Sequence, residues 1–124
     1  KIMDSFGLAK NNEAEKAIRS KAIEDATKFA CEIPHKVMLE ASSALKLVEA
    51  MVLKGNQNSI TDAGVAALCV RTAVHGAFMN VKINAQGLKD RVFADDILKR
   101  SQEVFRFTEE KVGELVDLVE NKIK

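Results

Sequence analysis

From about Glu13 onward, Ala14, Ile18, Ala22, Ala26, Phe29 and Ile33 recur at three- and four-residue steps, the spacing that gathers side chains on one face of an amphipathic helix. Pro34 lacks an N–H and restricts Ile33, so this helix is expected to end or kink there, with a second opening in the next turn. In that second segment Val37, Met38, Ala41, Ala44, Leu45, Val48, Met51 and Val52 keep the helical period, and Gly55 offers a left-handed stop. Residues 55–61 read as a polar loop in which Ser59 or Thr61 caps the helix that follows. That third helix is apolar nearly all round from Ala63 to Val81, as expected of a helix enclosed by others. After a turn around Gly87, Asp95 or Asp96 is placed to cap a last helix, in which Ile97, Val104, Thr108, Val112, Leu115 and Val119 hold the period. The expectation is four helices near residues 11–33, 35–54, 60–84 and 93–122. Together they form an all-α, elongated helical bundle with a largely apolar central helix, in which Leu68, Cys69, Ala73 and Gly76 are buried.

Composition narrows the class without changing the fold. The 124 residues suffice for a single domain, and 47% apolar with 30% charged residues is the balance of a globular protein. Nineteen Lys and Arg against 18 Asp and Glu, interspersed along the chain, give no reason to expect a nucleic-acid partner. Cys31 and Cys69 stand apart in apolar surroundings with no ligand spacing, so no metal site or disulfide is predicted, only buried thiols in a reducing cytosol. The longest unbroken apolar run, Ala63 to Val70, falls short of a membrane span, and a cytoplasmic protein with no membrane partner is expected. Three amphipathic neighbours cannot cover every apolar side of the third helix, which predicts a homodimer or a missing partner segment. The opening KIMDSFGLAKNNEAEK reads as mid-protein sequence, so an upstream part is expected as well.

Turning the third helix by about 100° per residue sorts its polar groups into two stripes. Asp62, Cys69, Ala73, Gly76 and Asn80 follow one, with Asn84 slightly off centre; Arg71, His75, Phe78 and Lys82 follow the other. Each position also has a plain structural reading. Asp62, in the first turn, can satisfy free N–H groups and is favoured by the helix dipole. Asn56 and Asn58 suit a turn, and Asn80 or Asn84 suits a bond to a neighbouring helix. Arg71 and His75 suit a solvated or dimer-facing edge, and His35, beside Pro34, a surface place at a helix start.

The stretch GNQNSITDAGVAAL, followed by HGAFMNVKINAQGLKD, resembles the formiminotetrahydrofolate cyclodeaminase and methenyltetrahydrofolate cyclohydrolase family. The matching residues are Gly55, Asn56, Thr61, Asp62, Gly76, Ala77, Asn80, Val81, Ile83 and Asn84, and Arg19 and the Ile33–Pro34 junction extend the likeness upstream. The family's glycine- and serine-rich helix start has no counterpart in residues 1–30, so the chain reads as the C-terminal portion of such a domain. The resemblance implies chemistry on one-carbon units between N5 and N10 of tetrahydrofolate, with the folate as substrate and no prosthetic group. The deaminase closes the methenyl bridge with loss of ammonia; the hydrolase opens it with water. The deaminase heads the expectation, with the hydrolase weighted almost equally and a non-enzymatic helical module or incomplete fragment as the rival.

Under that resemblance Asp62 is the proton-transfer group, since a carboxylate within hydrogen-bond reach can take a proton from the attacking group and return one to the leaving group. Asn56 and Asn58 are candidates to read the pterin edge, because an amide both donates and accepts. Arg71 and Lys82 are candidates for the glutamate carboxylates. Asn80 and Asn84 complete the substrate-binding set. Eighteen residues at 1.5 Å each set Asn80 about 27 Å from Asp62, so one small reacting centre does not touch both: either an elongated folate lies along the stripe, or Asn80 and Asn84 serve packing or a second subunit.

Overall fold

The computed structural model describes residues 1–124 and is all-α, with helices α1 (Ile2–Phe6), α2 (Glu13–Ser43), α3 (Leu45–Lys54), α4 (Ile60–Gln86) and α5 (Arg91–Ile123) and a 3₁₀ turn at Gln57–Ser59. The central helix is α4, which packs chiefly on α2 and α5, with α3 closing one end. Cys31 and Met38 of α2 meet Val74, Phe78 and Val81 of α4 and Ile97 of α5 in one half of the core. Leu45, Val48 and Val52 of α3 meet Ala67 of α4 and Val112, Leu115 and Val119 of α5 in the other.

The first boundary lies ten residues beyond its expected place. α2 runs through Pro34 without a break and ends only at Ser43. A proline inside a helix leaves the carbonyl four residues earlier without its donor. Here that carbonyl, of Ala30, accepts a hydrogen bond from Asn84 Nδ2 of α4 at 3.0 Å, so the helix passes the proline with its backbone satisfied. The chain bends instead after Ser42 and Ser43, whose hydroxyls donate back to the carbonyls of Leu39 (3.0 Å) and Glu40 (2.6 Å) and compete with the helical ladder.

Three expected end signals are also replaced. Gly55 is extended rather than left-handed. It is needed for space, since a Cβ there would run into the carbonyl oxygen of Met51. Ser59 stands at the N-cap of α4 without a side-chain cap, and Asp62 does not supply one. The cap of α5 is Asp90, not Asp95 or Asp96, and it accepts from the Phe93 N–H at 3.0 Å. Asp90 also pairs with Lys28 of α2 at 2.8 Å, and Glu24, one turn earlier on α2, accepts from the N–H groups of Lys89 and Asp90. These bonds hold the Glu24 and Asp90 carboxyls below their usual range, the first chiefly through the Lys89 N–H and the second chiefly through Lys28. The α4–α5 turn is thus clamped to α2.

His35 is buried rather than exposed, because α2 continues past Pro34 and turns it toward α5. Its Nδ1 lies 2.8 Å from Ser101 Oγ and its Nε2 3.4 Å from Arg100 Nη1. The expected burial along α4 is corrected on one face. Leu68, Cys69, Ala73 and Gly76 are exposed, as are Val65, Met79 and Ile83, since α2, α3 and α5 cover only the opposite side. By length and composition alone α4 is long and apolar enough to cross a membrane, with a mean hydropathy of 1.2 over its most apolar 18 residues, more than its interrupted runs suggest. In the fold it is the middle member of a bundle.

Candidate functional site

Where α2 and α4 diverge they leave an open groove of about 730 Å³. Phe29, Ile33, Pro34 and Val37 form the α2 wall, and Ala73, Ala77, Asn80 and Asn84 the α4 wall. Asn80 and Asn84 are one helical turn apart, so their amides stand one above the other along the same wall. Of the predicted site residues, these two alone share the groove.

The others lie elsewhere. Asp62, in the first turn of α4, is exposed and faces a shallow pocket of about 220 Å³ bounded by Leu47, Val48 and Met51 of α3. Asn56 Oδ1 accepts from the Asn58 N–H at 2.9 Å, an Asx turn that starts the 3₁₀ segment, and both side chains sit on the surface near Asp62 in sequence. Arg71 pairs with Glu109 of α5 at 3.1 Å, and His75 stacks edge-on against Phe105 of α5 with ring centres 4.9 Å apart. Lys82 Nζ lies 4.5 Å from the centre of the Phe78 ring. Of the edge expected to be solvated or dimer-facing, Arg71 and His75 therefore meet α5, while Lys82 stays exposed over a ring of its own helix. One chain thus presents an amide-edged groove at one end of α4, a carboxylate with two asparagines at the other, and two cations along the α5 side.

Among the titratable groups, burial lowers the pKa of His35, and the nearby Arg100 guanidinium lowers it further against an opposing pull from Asp96. Burial raises the Cys31 thiol. Neither faces the groove as an available acid or base: Cys31 is wholly enclosed, and His35 is held by Ser101. No three His, Cys, Asp or Glu side chains converge as a set that could hold a metal ion. Lys1 and the α1 residues Ile2 and Met3 also line the groove, so the chemistry open to it is hydrogen bonding from carboxamides and one ammonium group against a largely apolar wall.

The contacts missed by sequence reading are those of Glu24, His35 and Asn84 with other helices. Only Asn84 left a usable signal: a proline within a continuous apolar period implies a free carbonyl four residues earlier, and an asparagine on the facing helix is a suitable donor.

An all-α bundle whose central helix borders an open, amide-edged groove is a scaffold suited to a small, flat, partly polar ligand. Residues 1–103 match the family described as formiminotransferase-cyclodeaminase, and the chain belongs to that family. It is 41% identical over 98 residues to a methenyltetrahydrofolate cyclohydrolase of Methylorubrum extorquens, a match covering 79% of this chain and 47% of the relative. Two formimidoyltransferase-cyclodeaminases, of Mus musculus and Rattus norvegicus, are 29% and 31% identical over 93 residues, covering 75% of this chain and 17% of each relative. The chain thus spans about half the length of the first relative and much less of the others.

Proposed function

We propose that the protein acts in folate one-carbon chemistry as a methenyltetrahydrofolate cyclohydrolase. The observation that carries this reading is the 41% identity over 98 residues to a relative of that name, against 29% and 31% for the two cyclodeaminases. Hydrolysis of the methenyl bridge adds water to the carbon joining N5 and N10 as one proton leaves the water; one C–N bond then breaks, the freed nitrogen takes up a proton, and the hydroxyl gives up its own to become the formyl carbonyl. A positioned base and a site that orients the ring are the two requirements. Asp62 is proposed as the base, and the groove edged by Asn80 and Asn84 as the seat of the ring.

Roughly 27 Å of helix separates these groups in one chain, so the proposal includes a homodimer. Antiparallel pairing of two exposed α4 faces, centred near Thr72, brings Asp62 of one copy to the Asn80–Asn84 end of the other. The exposed Val65, Leu68, Met79 and Ile83 supply apolar surface for that contact. In this arrangement Asn56 and Asn58 travel with Asp62, and Arg71 and Lys82 remain candidates for the glutamate tail at the rim. A cytoplasmic setting without a nucleic-acid or membrane partner belongs to the same proposal; the packing of α4 against three helices bears only on the membrane part of it.

The second reading is formiminotetrahydrofolate cyclodeaminase, favoured by the family description and the mammalian relatives. Incubation of the protein with 5,10-methenyltetrahydrofolate, following loss of the methenyl chromophore, tests the first reading. Incubation with 5-formiminotetrahydrofolate, following ammonia, tests the second. Consumption of the methenyl compound without ammonia release supports the hydrolase; ammonia release overturns it in favour of the deaminase, and inactivity in both assays overturns both.

A further inference from the structure

The Asn84 amide is the most constrained polar group on the groove, and its orientation follows from chemistry alone. Pro34 has no N–H, so the Ala30 carbonyl can only accept from elsewhere, and the group within reach is Asn84 Nδ2 at 3.0 Å. The amide nitrogen must therefore face Ala30, which turns Oδ1 away from α2's backbone. No buried side-chain oxygen or nitrogen in the chain lacks a partner, and Oδ1 has none within the chain, so it is open at the groove that Asn84 lines. The result is one fixed acceptor beside an apolar wall in which Ile33 and Val37 are 47% and 45% exposed, with Lys1 Nζ 3.7 Å from the centre of the Phe29 ring on the same wall. Asn80, one turn away and exposed, adds an amide that is free to rotate. A volume of about 730 Å³ is within the range of sites for small molecules.

We infer that Asn84 Oδ1 orients a pterin ring in this groove by accepting from its N–H edge, and that Pro34 is the positioning residue that holds the acceptor in place. The ligand class is a flat heterocycle with adjacent N–H donors, laid against the aliphatic Ile33, Pro34 and Val37 of the α2 wall. The inference rests on the folate reading and the ring seat proposed with it, and adds the polarity of that seat and an unusual role for a mid-helix proline. The proline removes one backbone donor, the asparagine replaces it, and the replacement aims the other end of the amide at the ligand.

The test uses calorimetry with 5-formyltetrahydrofolate as the pterin-bearing probe and p-aminobenzoylglutamate as the probe that keeps the tail and lacks the ring. Two variants are compared with the natural protein. Pro34→Ala returns an N–H to the Ala30 carbonyl and releases the Asn84 amide, so the fold is kept or strengthened while affinity for the pterin probe falls on the order of tenfold. Asn84→Leu removes the acceptor, with a similar or larger loss, and circular dichroism reports whether the helices persist. Tail-probe binding unchanged in both variants, with pterin binding weakened in both, supports the inference. Pterin binding that is unaltered in well-folded Pro34→Ala overturns it while leaving the folate reading intact. Equal binding of both probes to the natural protein also overturns it, since the ring then contributes nothing. Absence of binding by either probe overturns the inference together with the folate reading.

Discussion

His35 Nδ1 lies 2.8 Å from Ser101 Oγ, joining α2 to α5 through two wholly or largely buried side chains. Arg100 approaches the other ring nitrogen at 3.4 Å and can only donate, so Nε2 is the acceptor and Nδ1 carries the proton that is given to Ser101. Burial and the Arg100 charge both favour this neutral form and lower the His35 pKa from its ordinary 6.5. Above about pH 6.5 the imidazole is neutral in folded and unfolded chains alike, and its contribution to stability is complete. As the pH falls below that value the unfolded chain takes up a proton that the folded chain resists, and stability declines until the folded group's lower pKa is passed. Urea unfolding at pH 7.5 and pH 5.5 is expected to show a larger acid loss in the natural protein than in His35→Gln. Equal losses would remove His35 as the source.

The exposed Asp62 makes a different prediction, because it caps nothing. Asp62→Asn is expected to leave the unfolding free energy within about 0.5 kcal/mol, as for other surface changes away from a specific bond. Turnover of the methenyl substrate is expected to fall by on the order of 10² to 10⁴ if the carboxylate moves the proton. Normal turnover in the folded variant removes Asp62 from the proposed mechanism.

Two glycines should respond in opposite directions to the same substitution. Gly113 lies within α5 with open space where a Cβ would stand, so Gly113→Ala should gain the helix propensity of alanine, roughly 0.5–1 kcal/mol. At Gly55 the new methyl meets the Met51 carbonyl, so Gly55→Ala should lose stability by about 1 kcal/mol or more as the α3 terminus shifts. Thermal melts of the two variants against the natural chain provide the comparison, and a stabilised Gly55→Ala would contradict the geometry.

The thiols should divide just as sharply. Cys69 is exposed on α4, whereas Cys31 is fully enclosed and its thiol pKa is raised by burial. A disulfide reagent is expected to modify Cys69 in the native protein at neutral pH and Cys31 only after denaturant is added. Mass mapping of the labelled peptides identifies the modified residue. Early labelling of Cys31 would mean that α2 opens readily.

The helical periods were legible wherever one face alone meets the core. α5 illustrates this, with Ile97, Thr108, Val112, Leu115 and Val119 all buried as their spacing predicts. The α2 stripe was right at Ala26 and Met38, which are buried, but Ile18, Phe29 and Ile33 follow the same period and remain exposed, while Cys31 and His35 meet the core. Periodicity identifies a helix and leaves open which of two apolar faces is covered. The same ambiguity affected α4, whose exposed side resembles a buried one in sequence. The family motif located the Asn80–Asn84 pair, but the bond from Asn84 to Ala30 joins residues 54 positions apart, depends on how α2 and α4 align, and has no local signature. Arg71 was recognised as a cation and not as the partner of Glu109, because that contact depends on the rotation of α5.

The order of the helices along the chain bears on how the protein is made. α4 leaves the ribosome before any of the 33 residues of α5, the helix that covers much of its apolar side. At cellular rates of synthesis that delay is roughly 2–7 s, far longer than a helix needs to form. During it the nascent chain carries an apolar helix with the composition of a membrane anchor, shielded only by α2 and α3. A chain truncated before α5 is therefore expected to expose this side of α4 for as long as it persists.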